Sequence, residues 1–102
     1  MLRTESQRKE LCKECPMARV ADLLGDSCSL LIVRDVMEKP RRFGELQESL
    51  SGISTRTLTN KLKQLEKESL IQKKGFHYTM TKKGAALEEV IDAMRAYGKK
   101  YL

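Results

Sequence analysis

The stretch that most constrains the fold is SGISTRTLTNKLKQLEKESLIQKK, residues 51–74. Ser51-Gly52 is a turn signal and Ser54 suits a helix N-cap, so the pattern predicts a tight turn followed by a helix. An α-helix turns by about 100° per residue. One face of this helix therefore carries Leu58, Leu62 and Leu65. The opposite face carries basic and amide residues, namely Arg56, Asn60, Lys63 and Lys67. The pattern therefore predicts an amphipathic helix with a basic outer stripe.

Apolar residues at helical spacing predict most of the remaining elements. In chain order we expect a helix from Pro16 to Gly25-Asp26, a second through 30–37 that stops at Lys39-Pro40, a short third over 43–50, strands at 71–74 and 78–81 around Gly75-Phe76-His77, and a last helix over 82–101.

This order predicts a mainly α fold. A short helix, a turn and a helix with a polar face form a helix-turn-helix pattern, and a hairpin directly after it makes the pattern a winged one. We expect a single domain over residues 1–102, with a short two-stranded wing and a long C-terminal dimerisation helix. Its parts are an N-terminal arm at 1–14, the helix-turn-helix at 43–69, the wing at 71–81 and the C-terminal helix at 82–101.

Charge is distributed unevenly along the chain. The net charge is +6, yet residues 1–38 carry −1 and residues 39–102 carry +7. A basic segment behind a nearly neutral one favours a polyanion partner, and double-stranded DNA is the usual one. Lysine-rich helices that are merely well solvated would give the same balance, so charge alone leaves both interpretations open.

Individual side chains on the predicted helix suit contact with DNA. Arg56 and Asn60 are the residue types that form two hydrogen bonds with guanine and adenine, respectively, in the major groove. The threonines at 55, 57 and 59 suit phosphates or a thymine methyl group. On the wing, phosphate or minor-groove contacts are predicted for Lys73, Lys74 and His77.

Four motifs give the chain a family resemblance: the Cys15-Pro16 start, RFGEL, the GIS turn with TLTNKLKQLE, and TKKG before the last helix. From Cys15 onward the chain resembles the HxlR family of bacterial winged-helix transcription regulators, relatives of the MarR regulators. The resemblance implies a homodimer built from terminal helices, with two recognition helices in successive major grooves. It implies DNA-facing residues at Ser54, Thr55, Arg56, Thr57, Asn60, Lys61 and Lys63. Helical geometry agrees on Arg56 and Asn60 and places Lys61 nearer the edge.

The chain departs from the family pattern at two places. Family members usually carry Gly-Lys-Trp after the first helix, where this chain has Asp26-Ser27-Cys28. Core packing must therefore differ there, and Cys28 is expected to be a small buried filler. The wing turn is also short, which limits its reach into a minor groove.

Three interpretations of the cysteines stay open. Cys15 lies at a predicted helix start near Lys13 and Arg19, an environment that favours the reactive thiolate. The resemblance points to Cys15 as a sensor of oxidants or electrophiles, with Cys12 as resolving partner. Alternatively, Cys12, Cys15, Cys28 and His77 hold zinc, although one CxxC is a weak zinc signal. The third interpretation is reduced cysteines without a role.

Other features narrow the function classes. The chain has one histidine, no Gly-rich phosphate loop and no carboxylate pair in an apolar context, so neither an enzyme nor a cofactor is expected. No apolar run reaches bilayer length, and the polar start lacks a signal peptide, so a cytoplasmic location is expected.

We expect a homodimer that binds an inverted-repeat operator, with a small-molecule or oxidant effector. A winged-helix module for protein interaction or dimerisation, without sequence-specific DNA recognition, is the alternative.

Overall fold

The computed structural model describes Gln7 and residues 15–102. Its helices and strands, in chain order, are α1 Pro16–Leu24, α2 Ser27–Glu38, β1 Arg41–Arg42, α3 Phe43–Ser49, α4 Thr55–Lys67, β2 Ile71–Lys74, β3 His77–Met80, α5 Lys82–Ala85 and α6 Glu88–Tyr101. The predicted N-terminal arm, Gln7 apart, and Cys12 lie outside the described residues.

The first two helices begin where local chemistry favours them. Pro16 occupies the first turn of α1, where a missing backbone N–H costs nothing. Asp26 caps α2, because its carboxylate accepts hydrogen bonds from the amides of Cys28 at 2.7 Å and Ser29 at 3.4 Å. α2 ends at Glu38, two residues before Pro40.

The helix-turn-helix consists of α3, α4 and the turn between them. Glu45 accepts a hydrogen bond of 2.8 Å from the amide of Arg42 and so caps the start of α3. Gly52 has a φ of +88°, a left-handed conformation that glycine adopts without strain. The Ser54 hydroxyl accepts the amide of Thr57 at 3.1 Å, which confirms the predicted N-cap of α4.

The hydrophobic core lies beneath α4. Leu58, Leu62 and Leu65 are at most 1% exposed, which confirms the predicted inner face. They belong to one buried cluster that includes Ile32 and Val33 of α2, Leu46 of α3, and Leu70, Ile71 and Tyr78 around the sheet. Burial of this leucine stripe fixes which face of α4 points outward.

The wing belongs to a three-stranded antiparallel sheet. The predicted hairpin of β2 and β3 is confirmed, with Ile71 opposite Met80 and Lys74 opposite His77. Sequence analysis missed β1, which places Arg41 opposite Tyr78 and gives the strand order β1-β3-β2. A two-residue strand has no readable alternation, so only its pairing with β3 reveals it.

The single helix predicted over 82–101 is wrong in one respect, because it divides into α5 and α6. The amide of Leu87 donates to Gly84 O at 2.9 Å, a tighter i to i+3 bond that ends α5. Thr81 was assigned to the second wing strand, but its hydroxyl instead caps α5 by accepting the amide of Gly84 at 3.0 Å. Gly84 is buried, and a Cβ there would collide with the carbonyl oxygen of Leu70. This close packing holds α5 against the sheet.

Within residues 15–102, no helix combines the length and the apolar character that a membrane span requires.

Candidate nucleic-acid interface

The predicted outer stripe of α4 is exposed. Arg56, Asn60, Lys63 and Lys67, here called the polar stripe, all lie on the solvent face opposite the buried leucines. Because the N-terminal residues of a recognition helix usually approach base edges, Arg56 and Asn60 hold the favourable positions. The structure thus brings together the two residues that sequence analysis assigned to base reading.

Hydroxyl groups at the start of α4 form a local network. The Ser54 hydroxyl donates to Thr57 Oγ1 at 2.9 Å, and Gln47 Nε2 of α3 donates to Thr55 Oγ1 at 3.0 Å. All four side chains are accessible to some degree, and these bonds hold the turn and the first turn of α4 in place. Ser54, Thr55 and Thr57 therefore lie where predicted, with part of their hydrogen-bonding capacity already used.

Lys61 does not lie on the polar stripe. Its ammonium group forms an ion pair and hydrogen bond with Asp26 Oδ2, and the Lys61 side chain is only 24% exposed. Lys61 was expected to face DNA, and in this structure its charge is directed toward the start of α2. Burial acts to raise the pKa of Asp26, but the hydrogen bonds from Lys61 and from the amides of Cys28 and Ser29 outweigh it and lower the pKa.

The wing adds basic groups beside α4. Lys73 and Lys74 are exposed on β2, and His77 on β3 is half-buried. The Lys73 ammonium lies 5.5 Å from the centre of the Tyr78 ring, a cation–π distance. Burial, with a smaller effect from the nearby charge of Glu66, raises the pKa of that tyrosine. The two predicted wing lysines thus lie next to each other on β2, and His77 lies opposite Lys74 on β3.

Sequence analysis missed one pair on the wing. The Arg42 guanidinium lies 5.9 Å from the centre of the Phe76 ring, and Phe76 at the wing turn is 76% exposed. The RR dipeptide at 41–42 was visible in the sequence, but only the β1–β3 pairing brings Arg42 to the wing. Arg41 instead turns inward, where its Nε donates to the backbone oxygen of Asp35 at 2.9 Å.

An apolar face remains open on α6. Met94, Tyr97 and Tyr101 are 49%, 61% and 62% exposed, and the two tyrosine rings lie 5.0 Å apart. A cleft of about 370 Å³ next to Met94 continues this face onto α2, where Leu30 and Leu31 line it. Contiguous exposed apolar side chains of this size are typical of an interface with another chain.

The cysteines are separated in the described structure. Cys15 is exposed at the residue before α1, and Cys28 is half-buried in the first turn of α2. Cys28 thus only partly fills the core position predicted for it. Across residues 15–102, no three side chains of His, Cys, Asp or Glu lie close enough together to hold a metal ion.

A helix-turn-helix followed by a β-hairpin, with a basic outer stripe and an open C-terminal helix face, defines the winged-helix class of transcription regulators. Residues 23–102 match the family of HxlR-like helix-turn-helix proteins, so the chain belongs to the HxlR family.

Relatives support this membership. The helix-turn-helix regulator sll1512 of Synechocystis is 35% identical over 86% of this chain and 70% of its own length. The regulator YodB of Bacillus subtilis is 33% identical over 85% of both chains.

Solved structures share the fold. Quinone-bound YodB superposes with a TM-score of 0.77, at 35% identity over 85% of this chain and 100% of that one. A MarR-family protein from Porphyromonas gingivalis superposes with a TM-score of 0.81, at 29% identity over 88% of this chain and 95% of that one. The chain is therefore a transcription regulator of the HxlR and MarR type.

Proposed function

We propose that the protein binds one DNA operator sequence specifically, as a homodimer on an inverted repeat. The observation that carries the proposal is the polar stripe, which presents Arg56, Asn60 and Lys63 on a rigidly capped helix backed by fully buried leucines. Such a helix can enter a major groove with its N-terminal residues against base edges. Its outward side chains provide both base-reading groups and phosphate-binding cations.

The proposed contacts divide by chemistry. Arg56 and Asn60 read bases through paired hydrogen bonds. Lys63, Lys73 and Lys74 neutralise phosphates, and Ser54, Thr55 and Thr57 at the start of α4 add short-range hydrogen bonds to the backbone. Arg42 joins the phosphate contacts, because β1 places it on the wing.

A second copy of the chain is the proposed partner for the open face of α6. Pairing of two copies would remove the exposed side chains of Met94, Tyr97 and Tyr101 from water, and the hydrophobic effect therefore favours association. A two-fold symmetric pair presents two copies of α4. The two DNA half-sites that such a dimer binds form an inverted repeat, and their centres lie one helical turn of DNA, or a multiple of it, apart.

We further propose that Cys15 makes DNA binding responsive to oxidants or electrophiles. Support comes from its exposure at the start of α1 and from the relative YodB, whose structure has been solved with bound quinone. Cys12, outside the described residues, is the proposed partner for a disulfide.

The test begins with selection of bound duplexes from a random DNA library by the reduced protein. Fluorescence anisotropy then measures binding to the selected duplex against excess non-specific competitor. An inverted-repeat consensus and binding that survives the competitor would support the regulator. Absence of a consensus, with binding lost to competitor, would contradict it and favour a protein-interaction module.

The same assay tests the cysteine. Oxidised or quinone-treated protein is expected to change its affinity for the selected duplex, whereas the Cys15→Ser variant is expected not to respond. A response that persists in Cys15→Ser would contradict the role of Cys15, and Cys28→Ser serves as the matched control.

A further inference from the structure

One carboxylate joins the start of α2 to the recognition helix α4. Asp26 Oδ1 accepts the amides of Cys28 and Ser29, while Oδ2 accepts the ammonium group of Lys61, 35 residues away. Asp26 therefore caps one helix and binds a cation of the other at the same time. Both side chains are partly buried, at 33% and 24% exposed, so salt screens this pair less than a fully exposed one.

The pair has an electrostatic consequence for α4. Lys61 lies about 140° around the helix from Arg56, beside the buried face. A lysine side chain is long and flexible enough to swing from this edge toward a nearby phosphate. When Lys61 is bound to Asp26, the carboxylate neutralises its charge locally, and the ammonium group points away from the polar stripe.

We propose that Asp26 is a positioning residue that withholds Lys61 from DNA phosphates and thereby lowers the affinity for DNA of any sequence. The inference rests on the DNA-binding function proposed above. Each phosphate contact adds affinity for any DNA sequence, because it releases counterions without reading bases. Withholding one cation therefore lowers the affinity for specific and non-specific DNA alike, and the base-reading residues then contribute a larger share of the total binding free energy.

The experiment compares Lys61→Gln, Asp26→Asn and the double variant, using the slope of log affinity against log salt on a non-specific duplex. Asn caps helices about as well as Asp, so Asp26→Asn removes the ion pair while retaining the cap. Lys61→Gln is expected to leave the slope unchanged. Asp26→Asn is expected to steepen the slope by about 0.9 and to raise non-specific affinity roughly fivefold at 0.1 M salt, as for one added phosphate contact. The double variant should return to the wild-type slope.

Glu48→Gln, on the exposed surface of α3, is the control for the loss of one negative charge and is expected to keep the wild-type slope. The selected duplex gives a second readout, since Asp26→Asn should raise affinity for it by the same factor as for the non-specific duplex and leave their ratio unchanged. A return of both affinities to the wild-type values in the double variant would show that Asp26 acts through Lys61 rather than through fold stability.

Two results would overturn the inference. A shallower slope in Lys61→Gln would show that Lys61 contacts a phosphate in the wild-type complex. A wild-type slope in folded Asp26→Asn would show that the released lysine does not reach DNA. If Asp26→Asn does not fold, Asp26→Ser, which keeps a side-chain cap without a charge, takes its place with the same expected slope. Wild-type protein without salt-dependent DNA binding would instead contradict the proposed function, which keeps the two failures distinct.

Discussion

The hydroxyl of Ser49 donates a hydrogen bond of 2.6 Å to the carboxylate of Asp35, which ties the end of α3 to α2. Asp35 is 5% exposed, and the guanidinium of Arg34 binds the same carboxylate at 2.8 to 2.9 Å. The buried carboxylate is thus fully engaged by donors from two helices. It positions α3, the helix on which the turn before α4 depends.

Asp35→Ala is expected to destabilise the fold by about 2 kcal/mol, because Ser49 and Arg34 lose a shared buried acceptor. Urea denaturation followed by circular dichroism measures the change. Ser49→Ala removes one donor and should cost about 1 kcal/mol. Equal losses in the two variants would show that Asp35 matters only through Ser49.

Gly84→Ala is expected to destabilise the fold by about 2 kcal/mol, since the added methyl group must displace the backbone of Leu70 or the Met80 side chain. Gly44→Ala in α3 is the matched control, because a Cβ there meets no atom within 4 Å. Its stability should be unchanged or higher by up to about 1 kcal/mol. Thermal denaturation compares the two, and an unaffected Gly84→Ala would rule out the tight contact with the sheet.

Arg56→Ala is expected to weaken binding to the selected duplex by about 1–3 kcal/mol, because that is the contribution of a bidentate contact with a base. Binding to a non-specific duplex is expected to weaken far less. Lys73→Ala, on the wing, should weaken both alike and reduce the salt slope by about one. Competition anisotropy on the two duplexes measures the difference. Equal losses on both for Arg56→Ala would assign Arg56 to a phosphate instead of a base.

Met94→Glu is expected to convert the proposed homodimer to monomers, because burying a carboxylate in an apolar interface costs several kcal/mol. Ala96→Glu places the same charge on an exposed position around the opposite side of α6 and should remain dimeric. Sedimentation velocity measures the mass of each. A dimeric Met94→Glu, or a monomeric wild type, would remove α6 from the proposed interface.

The Asp26–Lys61 pair predicts a dependence of stability on acid. The pKa of Asp26 in the folded protein lies below its ordinary value of 3.8, so the carboxylate stabilises the fold above that value. This stabilisation is lost as pH falls through the lowered pKa. The difference in unfolding free energy between wild type and Asp26→Asn should be constant above about pH 5 and shrink below about pH 4. A difference that persists unchanged in stronger acid would contradict the lowered pKa.

Much of the fold follows from short-range patterns. The leucines of α4 recur at helical spacing, Ser54 supplies the N-cap and Gly52 supplies the left-handed turn, so each local preference agrees with the final structure. The same spacing separates the polar stripe from the core. Recognition helix, turn and hairpin were therefore predictable from neighbouring residues alone.

The missed features depend on residues far apart in the chain. β1 is too short to carry a periodic signal and exists because it pairs with β3, which in turn brings Arg42 to Phe76. Gly84 of α5 packs against the carbonyl of Leu70, a contact between residues that are distant in the chain.

By itself, the sequence determined the helices, the turn and the basic outer face, because helical periodicity and capping act over a few residues. Only the tertiary structure decided which cations face outward. Lys61 and Lys63 are two positions apart on one helix, yet Lys61 binds Asp26 and Lys63 stays exposed. The difference arises because the ion pair requires α2 and α4 to pack together, and no local pattern encodes that contact.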